Sequence, residues 1–468
     1  MADPKAFDLT IIGSGPGGYV AAIRAAQLGL KTALVEKSSA LGGTCLHVGC
    51  IPTKALLHSA EVLDTARGAA RYGITTGEVK LDLAGVHKHK TSVVRRLAKG
   101  VEFLMKKNAI TVVNGHGRLQ GPGRVEVTAA GEKKETLASR NVILAAGSVA
   151  KLLPGMKVDG TRLITSTEAL ALEFVPRTML ILGAGAVGME FASIYSSFGS
   201  KVSVVEMLPR VLPVEDDDIS AEMRKAFRKR GIAVKVDTRV TDVKMVDKGV
   251  EVAVEEAGGG RETLQADVLL VAVGRRPLSD DLGLKGTKVE LDRGYVKVDG
   301  MMRTGEPTVY AIGDLVPTPA LAHLASHEGI VAVEAIAGLN PHPINYDQVP
   351  NATYSEPEVA SIGLSERVAK ERGHKVKIGR FPFAAISKAG ISGAQEGFVK
   401  LVGDERYDEL LGVHIMGPKA TELIAEGALA LRLESTVEEL FHAVHAHPTL
   451  SEAMGEAALN LHARGIHF

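Results

Sequence analysis

The sequence predicts an α/β protein in which one strand–turn–helix–strand unit occurs twice. Two apolar runs, residues 8–12 and 178–182, each lead directly into a glycine-rich turn. A helical pattern follows each turn, and then comes a second apolar run, residues 32–35 in the first unit and 201–205 in the second. Short apolar runs that alternate with helices are typical of parallel sheets.

The glycines and acids of the two units predict their ligands. Each turn has glycines at its first, third and sixth positions: Gly13, Gly15, Gly18, Gly183, Gly185 and Gly188. At this spacing the first glycine allows a tight turn, the second lets backbone approach a pyrophosphate, and the third lets helix and strand pack closely. Glu36 and Glu206 close the two units, each 23 positions after the first glycine (36 − 13 and 206 − 183). The repeat therefore predicts two Rossmann-like dinucleotide-binding domains.

Length and composition exclude several functional classes. At 468 residues the chain is too long for one core, and three or four domains are expected. Lys and Arg total 55, as do Asp and Glu, so the formal net charge is zero, which argues against a nucleic-acid partner. The sequence has no run of about 18 apolar residues that would indicate a membrane span. Residues 1–7 are too short and polar for a secretory signal. An intracellular protein is expected.

Cys45 and Cys50 are the only cysteines in the chain, and they follow the first unit closely. Such a pair favours redox chemistry. A structural disulfide is disfavoured inside cells, and a zinc site would need further ligands at short spacing. A pair of inert buried thiols is the alternative interpretation of the two cysteines. A disulfide needs Cα atoms within about 7 Å, but five residues of straight helix rise about 7.5 Å. We therefore expect a bend, with Gly49 and Pro52 favouring a loop that enters a helix.

The flanking residues indicate which dinucleotide each unit binds. After Glu206 the first basic residue is Arg210, so a 2′-phosphate would meet a carboxylate without a nearby guanidinium. NAD is therefore favoured over NADP in the second unit. The cofactor of the first unit must exchange electrons with the adjacent thiol pair. A flavin reduces disulfides readily, so FAD is favoured there.

The chain resembles the FAD-dependent pyridine nucleotide–disulfide oxidoreductases over essentially its whole length. Four motifs carry the resemblance: residues 42–54 (GGTCLHVGCIPTK), 271–277 (VAVGRRP), 308–314 (TVYAIGD) and 445–452 (HAHPTLSE). The resemblance implies a C-terminal α+β interface domain in addition to the two Rossmann-like domains. It implies an FAD-binding domain over 1–150, an NAD-binding domain over 151–280, a central domain over 281–350 and an interface domain over 351–468. Residues 345–357 are expected to be a linker.

The resemblance also implies how the chemistry is divided. Cys45 would exchange with the substrate sulfur, and Cys50 would lie nearer the flavin and carry the thiolate. His447 would be the acid–base residue, with Glu452 holding its imidazole in position. From the residues alone, Thr449 and Glu452 fit a capping box of the following helix equally well.

Lys54 and Glu190 are expected to form an ion pair near the flavin. Without the resemblance, Lys54 would be a solvated helix lysine. Glu190 falls at the edge of a predicted apolar stripe, so its carboxylate needs a partner. The stripe consists of Val187, Phe191, Ile194 and Phe198.

Other cofactor contacts are implied by the same motifs. Beyond the first glycine turn and Glu36, the expected FAD site comprises Gly43, Thr44, Lys54, Gly117, Ala146, Gly147, Ser148, Asp314, Ala320, Leu321, Ala322 and His323. The expected NAD site adds Glu190, Val240 and Gly274 to the second glycine turn and Glu206. Asp314 would bind the ribityl chain, and residues 320–323 would enter a helix whose N-terminus stabilises a reduced flavin. No metal is expected.

The implied activity is the oxidation of protein-bound dihydrolipoyl groups to the disulfide with reduction of NAD+. The implied partners are a second copy of the chain, because His447 would reach the other subunit's disulfide, and lipoyl domains with the acyltransferase core of a 2-oxoacid dehydrogenase complex or a glycine-cleavage lipoyl carrier. The expected compartment is the bacterial cytoplasm or the mitochondrial matrix. Another disulfide reductase that uses FAD and NAD(P)H, or a mercuric-reductase-like enzyme, is the alternative. Residues 462–468 contain no cysteine, which argues against the mercuric enzyme.

Overall fold

A computed structural model describes residues 5–468, with the side chain of Lys5 excepted. The chain forms two compact units. The first comprises the described residues up to Ala55, Gly85–Lys151 and Arg275–Tyr346, and the second comprises Leu56–Ala84, Leu152–Gly274 and Asp347–Phe468. Within residues 5–468, no helix is long and apolar enough to cross a membrane.

A seven-stranded sheet forms the centre of the first unit. Its strands are β1 (Lys5–Ile12), β2 (Thr32–Glu36), β3 (Thr111–Asn114), β4 (His116–Leu119), β5 (Arg124–Thr128), β6 (Lys134–Leu144) and β19 (Val309–Ala311). Their order is β3-β2-β1-β6-β5-β4, with β19 also paired to β6. The β3, β2, β1, β6 and β19 strands pair in parallel, whereas β4 and β5 add antiparallel pairs. Two short antiparallel ribbons complete the unit: β7 (Ser148–Ala150) with β16 (Arg275–Pro277), and β17 (Leu291–Asp292) with β18 (Tyr295–Val296).

Helices cover one face of this sheet. They are α1 (Pro16–Gln27), α2 (Gly43–Val48), the start of α3 (Cys50–Arg67), α4 (Leu83–Lys107) and α8 (Ala322–Ile336). One core cluster joins Leu9 and Ile143 of the sheet to Ala21 of α1, Val101 of α4 and Ala332 of α8. A second cluster fills the opposite face. Strands β2 and β19 are fully buried between these layers, as apolar runs without alternation predict, whereas the edge strand β3 is partly exposed.

A five-stranded parallel sheet forms the first layer of the second unit. Its strands are β8 (Leu163–Ile164), β9 (Thr178–Leu182), β10 (Lys201–Val205), β11 (Ala233–Lys235) and β15 (Val268–Val271), in the order β11-β10-β9-β15-β8. The helices of this region are α5 (Ser166–Ala169), α6 (Ala186–Phe198) and α7 (Asp217–Lys229). An antiparallel three-stranded sheet accompanies it: β12 (Thr238–Val246), β13 (Gly249–Glu256) and β14 (Arg261–Ala266).

The C-terminal part of the second unit is an antiparallel sheet with helices packed on it. The strands are β20 (Asn351–Thr353), β21 (Glu358–Gly363), β22 (Val376–Pro382), β23 (Phe398–Asp404) and β24 (Leu410–Gly417). The helices are α9 (Glu366–Glu371), α10 (Ser387–Ser392), α11 (Ala420–Arg432), α12 (Val437–His442) and α13 (Glu452–Leu461). The helix α13 lies so close to β22 that a Cβ on Gly379 would come within 2.0 Å of the Ala457 carbonyl oxygen. This is the expected α+β arrangement, and the predicted fold class is confirmed.

Two local expectations are wrong. Val187 is 38% exposed, whereas α6 is buried on almost every side from Gly188 to Phe198, so no narrow apolar stripe includes Val187. The helix lies inside the unit, which explains why Ser193 and Ser197 are buried too. The expected linker, residues 345–357, also contains regular structure, because β20 lies inside it and pairs with β21, which follows it.

The two glycine turns repeat the same contacts 170 positions apart. A Cβ on Gly18 would lie 1.9 Å from the Gly13 carbonyl oxygen, and a Cβ on Gly188 would lie 1.9 Å from that of Gly183. By contrast, a Cβ on Gly15 or Gly185 would meet nothing within 4 Å in the described part of the chain. The third glycine is therefore needed for close packing of the helix against the turn, whereas the second glycine leaves space beside the helix N-terminus.

We expect Gly188→Ala to lower the free energy of unfolding by about 1–3 kcal/mol or more, because its methyl group would overlap a backbone carbonyl. Gly185→Ala should leave stability nearly unchanged, because Gly185 has an ordinary φ of −74° and open space around it. Urea unfolding followed by circular dichroism measures both variants. Equal destabilisation by the two substitutions would contradict this division of roles.

Candidate active site

The thiol pair lies at a break between two helices. Cys45 is in α2, Gly49 interrupts the helix with φ −145° and ψ −117°, and Cys50 begins α3. The expected bend is present, although Cys45 lies in a short helix rather than in a loop. Gly49 has no room for a side chain, because a Cβ there would lie 2.9 Å from the Thr44 carbonyl oxygen.

Both cysteines are thiols and both are partly buried. A hydrogen bond with Cys50, together with burial and negative charge on Cys50, raises the pKa of the Cys45 thiol, while Lys54 acts in the opposite direction. Two thiolates this close repel each other, so the first ionisation of the pair disfavours the second. A reduced pair in this arrangement therefore disfavours two thiolates at once.

Backbone contacts join the thiol segment to the first glycine turn. Gly43, at φ +59°, lies so close that a Cβ there would come within 2.7 Å of the Gly15 Cα atom. The Gly42 N–H also donates to the Ser14 carbonyl oxygen at 3.1 Å. The segment that carries the two cysteines is therefore fixed against the turn predicted to bind the first dinucleotide.

The acids that close the two repeats hold their turns in the same way. Glu36 accepts from the Ser14 N–H at 3.0 Å and the Ser38 N–H at 2.7 Å. Glu206 accepts from the Ala184 N–H at 2.7 Å and the Leu208 N–H at 2.9 Å. In each repeat one carboxylate thus ties the residue after the first glycine to the loop after the second strand. With the open space beside Gly15 and Gly185, these features fit two dinucleotides.

An open cavity of about 290 Å³ lies next to the second acid. It is lined by Met207, Asp237, Arg239, Glu255, Glu256, Ala257 and Gly259. Sequence reasoning missed Arg239, a basic residue in the lining of this cavity. Arg239 is already paired with Glu255 at 2.5 Å, and Arg210 pairs with Asp217. The lining carries more negative than positive charge, which disfavours a 2′-phosphate.

Asp314 is held by a small polar network in the first unit. Ser148 Oγ donates to Asp314 Oδ2 at 2.5 Å, and Arg275 Nε lies 3.4 Å from the same oxygen. Glu328, on α8, accepts from the Gly313 N–H at 2.6 Å and the Thr318 hydroxyl at 2.8 Å. Burial raises the pKa of Glu328 to about 7. Sequence reasoning assigned no role to Arg275 or Glu328, and their separation from Asp314 along the chain gave no signal.

The remaining residues expected to contact FAD lie in the first unit, mostly where one strand or helix connects to the next. The helix α8 begins at Ala322 with Leu321 as its N-cap, so residues 320–323 do enter a helix. Ala146 and Gly147 connect β6 to β7, and Gly147 has φ +72°. Gly117 packs closely, with a Cβ position 3.1 Å from Val35. That contact gives Gly117 a structural reason to be glycine.

The expected NAD contacts beyond the second turn lie in the second unit. Val240 is in β12 beside a register shift, and Gly274, at φ +113°, follows β15. Glu190 is buried, and its Oε1 accepts from the Tyr354 N–H at 2.9 Å. Lys54 belongs to the first unit and Glu190 to the second, so their ion pair stays a prediction.

His447 and Glu452 are brought together in the second unit. His447 Nδ1 lies 2.9 Å from Glu452 Oε1, and Glu452 Oε2 accepts from the Thr449 N–H at 2.8 Å. Since a carboxylate only accepts, Nδ1 carries the proton and Nε2 is left as the basic nitrogen. The imidazole is 69% exposed. Burial would raise the pKa of Glu452, but the bonds from Thr449 and His447 and the charges of His447 and His445 together lower it.

The capping box expected of Thr449 and Glu452 does not form. Helix α13 begins at Glu452, its N-cap is Ser451, and no side-chain hydrogen bond caps it. Glu452 instead binds the Thr449 N–H with one oxygen and His447 with the other. The Thr449 hydroxyl donates to the Ala446 carbonyl oxygen. Across residues 5–468, no three His, Cys, Asp or Glu side chains come together in a way that could hold a metal ion.

Comparison with known proteins identifies the family. Residues 7–329 match the family described as pyridine nucleotide-disulphide oxidoreductase, and residues 349–458 match its dimerisation domain. The dihydrolipoyl dehydrogenase of Bacillus subtilis is 47% identical, with 99% of each chain covered, and that of Chlorobaculum tepidum is 46% identical, with 97% of each covered. The crystal structure of LpdA from Mycobacterium tuberculosis has a TM-score of 0.89 at 27% identity, covering 98% of this chain and 99% of that one. The chain therefore belongs to the pyridine nucleotide-disulphide oxidoreductases, among their dihydrolipoyl dehydrogenase members.

Proposed function

We propose that this protein oxidises dihydrolipoyl groups carried on a protein and reduces NAD+, through the Cys45–Cys50 pair and FAD. The observation that carries the proposal is the backbone contact between Gly43 and Gly15, which fixes a thiol pair against a dinucleotide-binding turn. The full-length similarity to dihydrolipoyl dehydrogenases supports the substrate class. Another disulfide reductase remains the alternative, and turnover of dihydrolipoamide separates the two functions.

The residues present fit the two cofactors. Gly13, Gly15, Gly18 and Glu36 would hold the FAD pyrophosphate and ribose, and Asp314 its ribityl chain. Gly183, Gly185, Gly188 and Glu206 would hold NAD. Bound FAD would supply a carrier for the electron pair between the dithiol and the hydride acceptor NAD+. The proposed division is an FAD-binding domain over 1–150, an NAD-binding domain over 151–280, a central domain over 281–350 and an interface domain over 351–468.

The protein's own residues perform the thiol exchange. His447 Nε2 removes a proton from one substrate thiol, and the resulting thiolate attacks Cys45 Sγ. A mixed disulfide forms, the Cys45–Cys50 bond breaks, and Cys50 leaves as a thiolate. The second substrate thiol then attacks the substrate sulfur of the mixed disulfide, and its proton passes to the departing Cys45 sulfur. This step releases the cyclic disulfide and Cys45, so that the substrate loses two electrons and the protein pair gains them.

We propose that the working form is a homodimer in which His447 serves the disulfide of the other copy. The dimerisation-domain match over residues 349–458, which contains His447 and Glu452, supports this. The proposed partners are lipoyl domains with the acyltransferase core of a 2-oxoacid dehydrogenase complex, or the lipoyl carrier of the glycine cleavage system. The proposed compartment is the bacterial cytoplasm or the mitochondrial matrix.

Cys45→Ser and Cys50→Ser should each lower NADH formation from dihydrolipoamide and NAD+ by about 1,000-fold or more, because neither variant can form the disulfide. Absorbance at the NADH band measures the rate, and the flavin spectrum shows that each variant still binds its cofactor. A Cys50→Ser variant that keeps full activity would refute the disulfide route. Wild-type protein that binds flavin but does not oxidise dihydrolipoamide would favour another disulfide substrate.

His447→Gln should lower the rate of reduction by dihydrolipoamide by about 100- to 10,000-fold, because it removes the general base. Glu452→Gln should reduce activity less, because an amide can donate as well as accept and so no longer fixes the proton on His447 Nδ1. Stopped-flow reduction by dihydrolipoamide measures both effects. Glu456→Gln, one turn further along α13, is the matched control. Wild-type activity in Glu452→Gln would show that Glu452 does not position His447 for proton transfer.

The protein should use NAD+ at least about tenfold better than NADP+, because Glu206 repels a 2′-phosphate. The double variant Glu206→Ser with Met207→Arg should narrow this ratio by about tenfold or more, since it exchanges a carboxylate for a guanidinium beside the ribose. Values of kcat/KM for the two coenzymes provide the measurement. A double variant with the wild-type ratio would show that the coenzyme lies elsewhere.

A further inference from the structure

Lys400, on β23, is a buried lysine whose ammonium group binds three carboxylates. The side chain is 2% exposed, and its Nζ lies 2.8 Å from Asp216 Oδ1, 2.7 Å from Asp218 Oδ2 and 2.8 Å from Glu366 Oε2. An ammonium group has three N–H donors, so each donor has a carboxylate acceptor here. We call Lys400 and these three acids the lysine cluster.

The lysine cluster joins the beginning of α7 to the C-terminal sheet of the same unit. Asp216 is the N-cap of α7, and its Oδ1 accepts from the Asp218 N–H at 3.0 Å as well as from Lys400. The other oxygen of Asp216 accepts from the N–H of Glu366, the first residue of α9, at 3.2 Å. The Asp216 side chain is also 2% exposed. Strand β23 and helix α9 therefore fix the point at which α7 begins.

The same Asp216 ends the loop that follows Glu206, the acid proposed to bind the NAD ribose. This loop, residues 207–215, contacts the second glycine turn, because the Leu212 N–H donates to the Ala184 carbonyl oxygen at 2.8 Å. Glu206 binds the N–H of the same Ala184 at 2.7 Å. The loop and the ribose acid are thus held by one residue of the turn. We call residues 207–215 the ribose loop.

The backbone at Leu212 makes the ribose loop depend on its surroundings. Leu212 has φ +45°, in the left-handed region that residues other than glycine seldom adopt. Such a conformation persists only where neighbouring contacts impose it. Besides the bond to the glycine turn, Leu212 accepts at its carbonyl oxygen from the Ser220 hydroxyl of α7 at 3.3 Å. The position of α7, which the lysine cluster fixes, is therefore one of the contacts that hold the loop.

We propose that Lys400 is a positioning residue for the coenzyme: through Asp216 it holds the ribose loop in the conformation that presents Glu206 to the NAD ribose. This inference rests on the proposed function, since it takes Glu206 as the ribose acid. It gives the C-terminal sheet a part in coenzyme binding. Loss of the lysine should weaken NAD binding and leave thiol exchange with dihydrolipoamide unchanged, because both cysteines belong to the other unit.

Lys400→Met tests the proposal through the two half-reactions. It removes the ammonium group and keeps a long, unbranched side chain. The KM for NAD+ should rise by about tenfold or more, because a displaced loop misplaces the ribose acid. The stopped-flow rate of reduction by dihydrolipoamide should change by less than about twofold, because no group in that step has been altered.

Lys370→Met is the matched control. Lys370 is 57% exposed and lies 2.6 Å from Glu366 Oε1, so this variant removes a cation from the same carboxylate without touching Asp216. Both half-reactions should keep their wild-type rates and the KM for NAD+ should be unchanged.

A second variant covers the case in which Lys400→Met does not fold, since a buried carboxylate without its cation is strongly destabilising. Lys400→Met combined with Asp216→Asn leaves no uncompensated charge at the buried position, and asparagine is a good N-cap for α7. The two remaining acids of the cluster are 47% and 29% exposed and can be solvated. The double variant should show the same selective rise in the KM for NAD+.

Hydrogen exchange followed by mass spectrometry gives a readout that needs neither coenzyme nor turnover. In Lys400→Met, the peptide covering residues 207–215 should exchange about tenfold faster or more at protected amides such as that of Leu212, because the loop opens more often. The peptide around Gly42, whose N–H donates within the first unit, should exchange as in the wild type. Lys370→Met should match the wild type in both peptides.

Two results would overturn the inference. Wild-type exchange of residues 207–215 in Lys400→Met would show that the lysine does not hold the ribose loop. An unchanged KM for NAD+, or equal slowing of both half-reactions, would show that Lys400 only stabilises the fold. Wild-type protein that does not reduce NAD+ at all would instead contradict the proposed function, and hydrogen exchange would still show whether Lys400 holds the loop.

Discussion

The close approach of backbone to backbone at a few glycines is the constraint on which the rest of the structure depends. At Gly18 there is no room for even one methyl group beside the Gly13 carbonyl, and the same is true of Gly188 and Gly183. This contact brings the start of each helix against the strand that precedes it. The N-terminal N–H groups of the helix then converge on the space beside the second glycine, which suits a pyrophosphate.

A further contact of this kind connects cofactor binding to redox chemistry. Gly43 lies against Gly15, so the helix that carries Cys45 is fixed to the predicted dinucleotide turn by main chain rather than by side chains. Main-chain contacts position groups more rigidly than long side chains do, because they carry no rotamer freedom. The thiol pair and the turn thereby keep a fixed geometry, which electron transfer between adjacent groups requires.

Carboxylates fix backbone and side-chain groups at the two glycine turns and at His447. Glu36 and Glu206 each bind two backbone N–H groups and so shape the loops of their repeats. Glu452 divides its two oxygens between the Thr449 N–H, just before α13, and the imidazole of His447. One carboxylate therefore fixes both the backbone before α13 and the proposed base.

Spacing and residue type were enough to predict the two strand–turn–helix–strand repeats and the thiol pair, because these features depend on residues close together in the chain. The pairing of His447 with Glu452 was implied by the family resemblance, since the residues alone fitted a capping box equally well. Tertiary structure decided the rest. It buried α6 on nearly all sides, where a single stripe was expected, and it placed Glu328 and Arg275 around Asp314. It also brought Lys400 to Asp216 across 184 positions. Such contacts arise from how strands and helices pack, and packing brings together residues whose separation along the chain carries no pattern.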